Sequence, residues 1–225
     1  MRVFIIALAL ASAVLGQTPP ALDVVLLVED SIAATSLVRR PDLRSLRPGD
    51  RVAVMTFADK QSLKLAFEAD PAKIDHAVSN LDARGTRSTT RLWDAVVKAA
   101  ELFGGPRDPS RRRALILVFS AEDKSSKQTA AGIRAALRGS EASLSAVTVS
   151  SGQLVSAIPR ISQAPIRTPA PQSPDVWGER VPVTQGKVMP AEALGFVEML
   201  ADETGGLVLK HEWNFSKLAE HARSR

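Results

Sequence analysis

Residues 24–28, Val-Val-Leu-Leu-Val, form an apolar run without polar alternation, closed by Glu29, Asp30 and Ser31. Period-2 alternation marks a strand with one wet face, so its absence over Val and Leu predicts a strand buried on both faces. Such a strand needs helices on each side of its sheet, which confines the chain to an α/β architecture. The same reading puts the polar residues at the strand's carboxyl end, where ligands bind in open α/β sheets. Glu29, Asp30 and Ser31 are therefore the first candidates for contact with an ion or a ligand.

The rest of the chain repeats the alternation of strand and helix. "AATSLVRRPDLRSL" has loose helical spacing but is interrupted by Pro41, which predicts a short or broken helix. "PGDRVAVMTFAD" reads as turn and buried strand, and "SLKLAF" as a partner returning after a turn at Asp59 to Gln61, hence an antiparallel edge strand. Ile74, Val78 and Leu81 share one face of a short helix that starts at Asp70-Pro71. A helix from about Thr90 to Phe103, the strand "RALILVFS", the helix "KQTAAGIRAALRG" and the strand "SLSAVTVSS" follow. From about 152 to 190 the composition turns to Pro, Ser, Gln and Thr, as in an extended insertion, before a final helix, strand and helix. The pattern predicts a Rossmann-like fold with a mostly parallel central sheet, one antiparallel edge strand and helices on both faces. One domain over 17–225, carrying the insertion at about 152–190, accommodates all of it.

Residues 1–16, "MRVFIIALALASAVLG", have the layout of a secretory signal peptide: an arginine, about a dozen apolar residues, then small residues. The alternatives are a buried strand or an uncleaved membrane anchor. Export to the periplasm or the extracellular space is the expectation, with no integral membrane span once the signal is removed. The chain has no cysteine, which rules out disulfides, zinc thiolate sites and thiol nucleophiles. The formal charge is +5, and with Arg2 removed 28 basic and 24 acidic residues remain, a net +4. That small excess, with no tyrosine and few aromatic residues, predicts no nucleic-acid binding.

Two families place acids at such a strand tip. "LLVEDS" and "LVFSA" match fragments of phosphorelay receiver domains, but Asp59 follows Asp30 too closely to be the phosphoacceptor, and "SAVTVSS" ends without the lysine. The second resemblance is broader. "DVVLLVEDS", "LRPGDRVAVMTFAD", "STTRLWDAV", "RALILVFSAED" and "LADETGG" resemble, in order and spacing, the motifs of von Willebrand factor A (VWA) domains, over about residues 22 to 222. The chain looks most like VWA-related proteins of bacterial envelopes.

The resemblance implies a metal-ion-dependent adhesion site holding Mg2+ or Mn2+ on the sheet's upper edge, with oxygen ligands suited to hard cations. Glu29 falls where the first aspartate of the family pattern belongs, and Ser31 and Thr90 match its serine and threonine. Ala33 replaces the second serine, and Ser120 stands at the last aspartate. Replacing both aspartates lowers the charge of the shell, so a weakened or lost metal site is the expectation. The loop before Thr90 brings Arg84, Arg87 and Arg91, so an arginine can meet an acidic partner without a bridging cation.

Plain structural roles stand beside these. Glu29 and Asp30 fit as caps of the next helix, Ser31 and Thr90 as N-caps, and Glu122 and Asp123 as a solvated turn. Trp93 and Phe103 fit a core, and His76, His211 and His221 lack ligand spacing. Trp177, an aromatic in the polar insertion, is a candidate anchor for a partner or for the domain itself. No phosphate loop, nucleophile elbow or zinc-binding helix is present. The expected function is non-catalytic protein–protein interaction, with Asp30, Arg84, Arg87, Arg91 and Trp177 as partner-binding candidates and the protein ligand unidentified. The alternatives are a metal-dependent adhesion domain and, further off, a receiver or a hydrolase.

Overall fold

The computed structural model describes residues 20–39, 41–82, 90–104, 108–120, 123–149, 193–210 and 212–225. Residues 1–16, read as a signal peptide, the stretch 152–190, and Arg84, Arg87, Glu122, Trp177 and His211 lie outside them.

The first strand, β1 (Ala21–Glu29), is buried almost from end to end. It lies at the centre of a six-stranded sheet of order β3-β2-β1-β4-β5-β6. The others are β2 (Arg51–Phe57), β3 (Gln61–Glu68), β4 (Arg111–Phe119), β5 (Ala142–Thr148) and β6 (Val208–Lys210). All neighbours pair in parallel except β2 and β3, the antiparallel edge hairpin. This is the Rossmann-like arrangement expected, and its cause is visible in β1. Val25 and Leu27 face one layer, and Leu22, Val24, Leu26 and Val28 face the other.

The first layer holds α3 (Leu92–Glu101), α4 (Ala130–Ser140) and α5 (Ala193–Thr204), packed through Leu92, Val96, Ile133, Leu137, Val197 and Leu200. Trp93 and Phe103 belong to this core, and Trp93 meets Phe196 edge-on at 4.9 Å. The second layer holds α1 (Ile32–Val38), α2 (Pro71–Ser79) and α6 (Phe215–Arg223). The first helix is short, as Pro41 predicts, and a single 3-10 turn at Leu43–Ser45 completes the connection.

Two differences from the sequence reading have clear causes. First, β4 begins at Arg111, two residues before the strand "RALILVFS" read from the sequence. Asp23 lies opposite Arg113 and Arg51 in register and draws Arg51 and Arg111 into ion pairs, which lets arginines sit in strands. Burial pushes the Asp23 carboxyl up, but hydrogen bonds from Arg51 and Arg111, with their charges, outweigh it and hold the pKa below its ordinary value. Second, α3 starts at Leu92 because Thr90 and Arg91 are drawn into loop contacts.

A second ion pair ties the last helix to the sheet. Asp50 accepts from Leu22 N and Arg47 N, both at 2.7 Å, and from the Arg223 guanidinium. Side chains of this pair are 1% and 5% exposed.

Candidate functional site

The strand ends at Glu29, Phe57 and Phe119 form the upper edge of the sheet, where the sequence placed its candidates. Glu29, the last residue of β1, is 7% exposed. Its Oε2 accepts from the backbone N–H of Ser120 at 2.6 Å, so the acid spans the tips of β1 and β4. Ser120 thus meets Glu29 through its main chain. The next residue turns the chain aside, with Asp30 N–H donating to Phe57 O at 2.7 Å.

Ser31 caps α1. Its Oγ accepts from Ala34 N at 3.2 Å, and its carbonyl accepts from the Thr35 hydroxyl at 2.8 Å. The cap role offered to Glu29 and Asp30 therefore belongs to Ser31. A hydroxyl oxygen one residue into the extended region reaches the orphan amide, whereas the Glu29 carboxylate points across the sheet edge.

Thr90 is 7% exposed but is not the cap of α3. That position falls to Arg91, whose side chain makes no capping bond, since a guanidinium has no acceptor. The Thr90 carbonyl instead accepts from Lys124 N at 3.0 Å and Ser125 N at 3.2 Å, while Arg91 N–H donates to Ala58 O at 2.9 Å. The Glu29–Ser120 bond and these contacts gather Glu29, Ser31, Thr90, Arg91 and Ser120 on one edge.

The acceptors for α3 come from the loop after β4. Asp123 Oδ1 accepts from Leu92 N at 2.9 Å, and Ser126 Oγ accepts from Trp93 N at 2.9 Å while donating to Asp123 Oδ1 at 2.6 Å. Asp94 returns the contact, its Oδ1 accepting from Lys127 N at 2.9 Å and Gln128 N at 3.2 Å. Asp123 is 2% exposed, which corrects its reading as a solvated turn: the unsatisfied amides of a buried helix start pull the carboxylate inward. Burial pushes the Asp123 carboxyl above its ordinary value against the Ser126 and Leu92 hydrogen bonds, and the Asp94 charge adds to the rise.

Among the described residues, no group of three or more His, Asp or Glu side chains gathers as a metal cluster. His76 meets Asn80 and His221 meets Gly205 O, both away from the edge.

The family model for the von Willebrand factor type A domain matches residues 7–123, just over half of the chain. The chain belongs to the VWA family. VWA domains are generally interaction modules, and they bind metal at a metal-ion-dependent adhesion site. Solved structures agree on the fold. An aerotolerance-related membrane protein from Bacteroides fragilis NCTC 9343, bearing multiple mutations to serines, is 15% identical with a TM-score of 0.58, over 91% of this chain and 99% of that one. The conserved hypothetical protein BatB from Bacteroides thetaiotaomicron is 16% identical with a TM-score of 0.52, over 91% and 96%. Proximal thread matrix protein 1 from the mussel byssus is 12% identical with a TM-score of 0.52, over 92% of this chain and 47% of that one. No curated protein matches the chain. At these identities the likeness is one of fold. No helix among the described residues of this VWA domain is long and apolar enough to cross a membrane.

Proposed function

We propose that this VWA domain is a non-catalytic protein-interaction module of the bacterial cell envelope, exported by residues 1–16, that works without a tightly held divalent ion. The observation that carries this reading is the bond from Ser120 N–H to Glu29 Oε2 at 2.6 Å. It commits an oxygen of Glu29, the last residue of β1, to joining two strands.

The remaining donors fit a hard cation poorly. Mg2+ asks for near-octahedral oxygen ligation, with carboxylates supplying much of the charge. Here Ser31 Oγ is engaged in a helix cap, and the family's last aspartate is Ser120. Asp123 and Asp94 direct an oxygen to backbone amides of α3 and of the following loop. The contact surface in this proposal is the upper edge itself, where Arg84, Arg87 and Arg91 meet acidic groups of a protein partner and Asp30 and Trp177 add a polar and an aromatic contact beside them.

A second reading, a working metal-dependent adhesion site, draws support from Glu29, Ser31 and Thr90 lying nearly buried on the family's ligand edge. Calorimetric titration of the chain with Mg2+ and Mn2+, beside a Glu29→Ala variant, separates the two. The expected outcome is no saturable heat and no melting-temperature shift between metal and chelator. Saturable binding that disappears in the variant overturns the proposal in favour of the second reading.

A further inference from the structure

At the opposite end of the sheet, where the parallel strands start, a pocket of about 210 Å³ opens between the beginnings of β4 and β5 and the end of α6. Four arginines line it, Arg111, Arg112, Arg113 and Arg225, against one carboxylate, Glu141. The four are not equivalent. Arg111 is neutralised by Asp23, and Arg113 donates to the carbonyls of Ser140 at 3.1 Å and Gly104 at 3.4 Å. Arg112 and Arg225 make no ion pair among the described residues. Arg112 is partly buried and Arg225 is exposed, so both line the pocket with no carboxylate of their own to meet. Glu141 and the α6 carbonyl end, with its partial charge of roughly −0.5, offset part of this charge, but together they fall short of the three guanidinium groups left after Asp23 pairs with Arg111.

We infer that this pocket is an oxyanion site for a phosphate group, carried by an anionic phospholipid headgroup or by a soluble phosphate. The planar fork of Arg suits phosphate oxygens, which can accept from two guanidinium groups at once. The fold supplies the reason to test a headgroup. Ala21 N–H donates to Ser110 O at 3.1 Å, and Ala21 and Leu22 lie opposite Arg111 and Arg112. In sequence, the apolar run of residues 1–16 closely precedes this strand start, which gives the chain a lipid-compatible segment next to it. The site lies on the edge opposite the partner-binding edge and is independent of that proposal.

The test uses the full chain in nonionic detergent, titrated calorimetrically with inorganic phosphate, and flotation of the same chain on phosphatidylcholine vesicles with and without phosphatidylglycerol. Arg112→Gln/Arg225→Gln removes the two unpaired charges. Arg44→Gln/Arg47→Gln removes two arginines from outside the pocket and is the control, with the melting temperature of each confirming the fold. Saturable phosphate binding, weakened about tenfold or more by the pocket variant and retained by the control, is the expected result. If the phosphatidylglycerol-dependent gain in flotation is lost in the same variant, the phosphate belongs to a headgroup. Phosphate binding without a lipid preference assigns a soluble ligand. Neither response, or an equal loss in the control, overturns the inference, because diffuse charge would then account for the pocket.

Discussion

Asp50 gathers the amides of Leu22 and Arg47 and the guanidinium of Arg223 on one buried carboxylate. Removing it leaves Arg223 charged and enclosed, and an uncompensated buried charge costs about 3–5 kcal/mol. Asp50→Ala is therefore expected to lower the urea midpoint by a large fraction of a small domain's stability, with little change in the slope. Asp23 gives a pH signature instead. Its folded pKa is depressed, so its contribution is fully present above the unfolded value of about 3.9 and is lost as pH falls through the folded value. Urea unfolding of the protein and of Asp23→Asn at about pH 6 and about pH 2.5 checks this. The two stabilities are expected to differ at the higher pH, and the difference to narrow at the lower.

Between elements, the loop after β4 and the start of α3 hold one another through Asp123, Ser126 and Asp94. Loss of such a cap costs about 1–2 kcal/mol, so Asp123→Ala is expected to lower the midpoint of thermal unfolding by several degrees. Asp123→Asn keeps an oxygen for Leu92 N–H and is expected to cost less. The sign of its pH effect is opposite to that of Asp23: a raised folded pKa favours the protonated form, so stability falls as pH rises through the folded value. Circular dichroism melts of the protein and of both variants from acid to neutral pH read the two effects. This clamp was not legible in the sequence, because Asp123 and Leu92 are 31 residues apart and only the closed sheet brings them together. The edge hairpin and the short first helix were legible, because a tight turn and Pro41 act locally.

For the molecule as a whole, α6 closes one layer. Phe215, Leu218, Ala219 and Ala222 complete the core on that face, and Arg223 reaches Asp50 and the carbonyl of Ser45. Deleting residues 212–225 is expected to abolish the cooperative thermal transition, since the strands beneath would be left with a wet apolar face. A melt followed by circular dichroism checks this, and a retained sharp transition would show that the other two helices of the layer suffice. Upper-edge contacts and lower-edge arginines sit at opposite ends of the same strands, so their variants are expected to act additively.

Sequence alone determined the fold class, because apolar runs without alternation leave no solution but a sheet covered on both faces. Strand direction also placed Glu29, Ser31 and Ser120 at one edge, because it carries the polar ends of parallel strands to the same side, and the family resemblance added Thr90. Tertiary structure decided how these residues are used. A carboxylate takes whichever donor the neighbouring strand presents, and for Glu29 that donor is the Ser120 amide. Likewise, only the register of β1 against β2 and β4 decided that a row of arginines becomes strand, since Asp23 must stand beside Arg51 and Arg111 for their charges to be offset there.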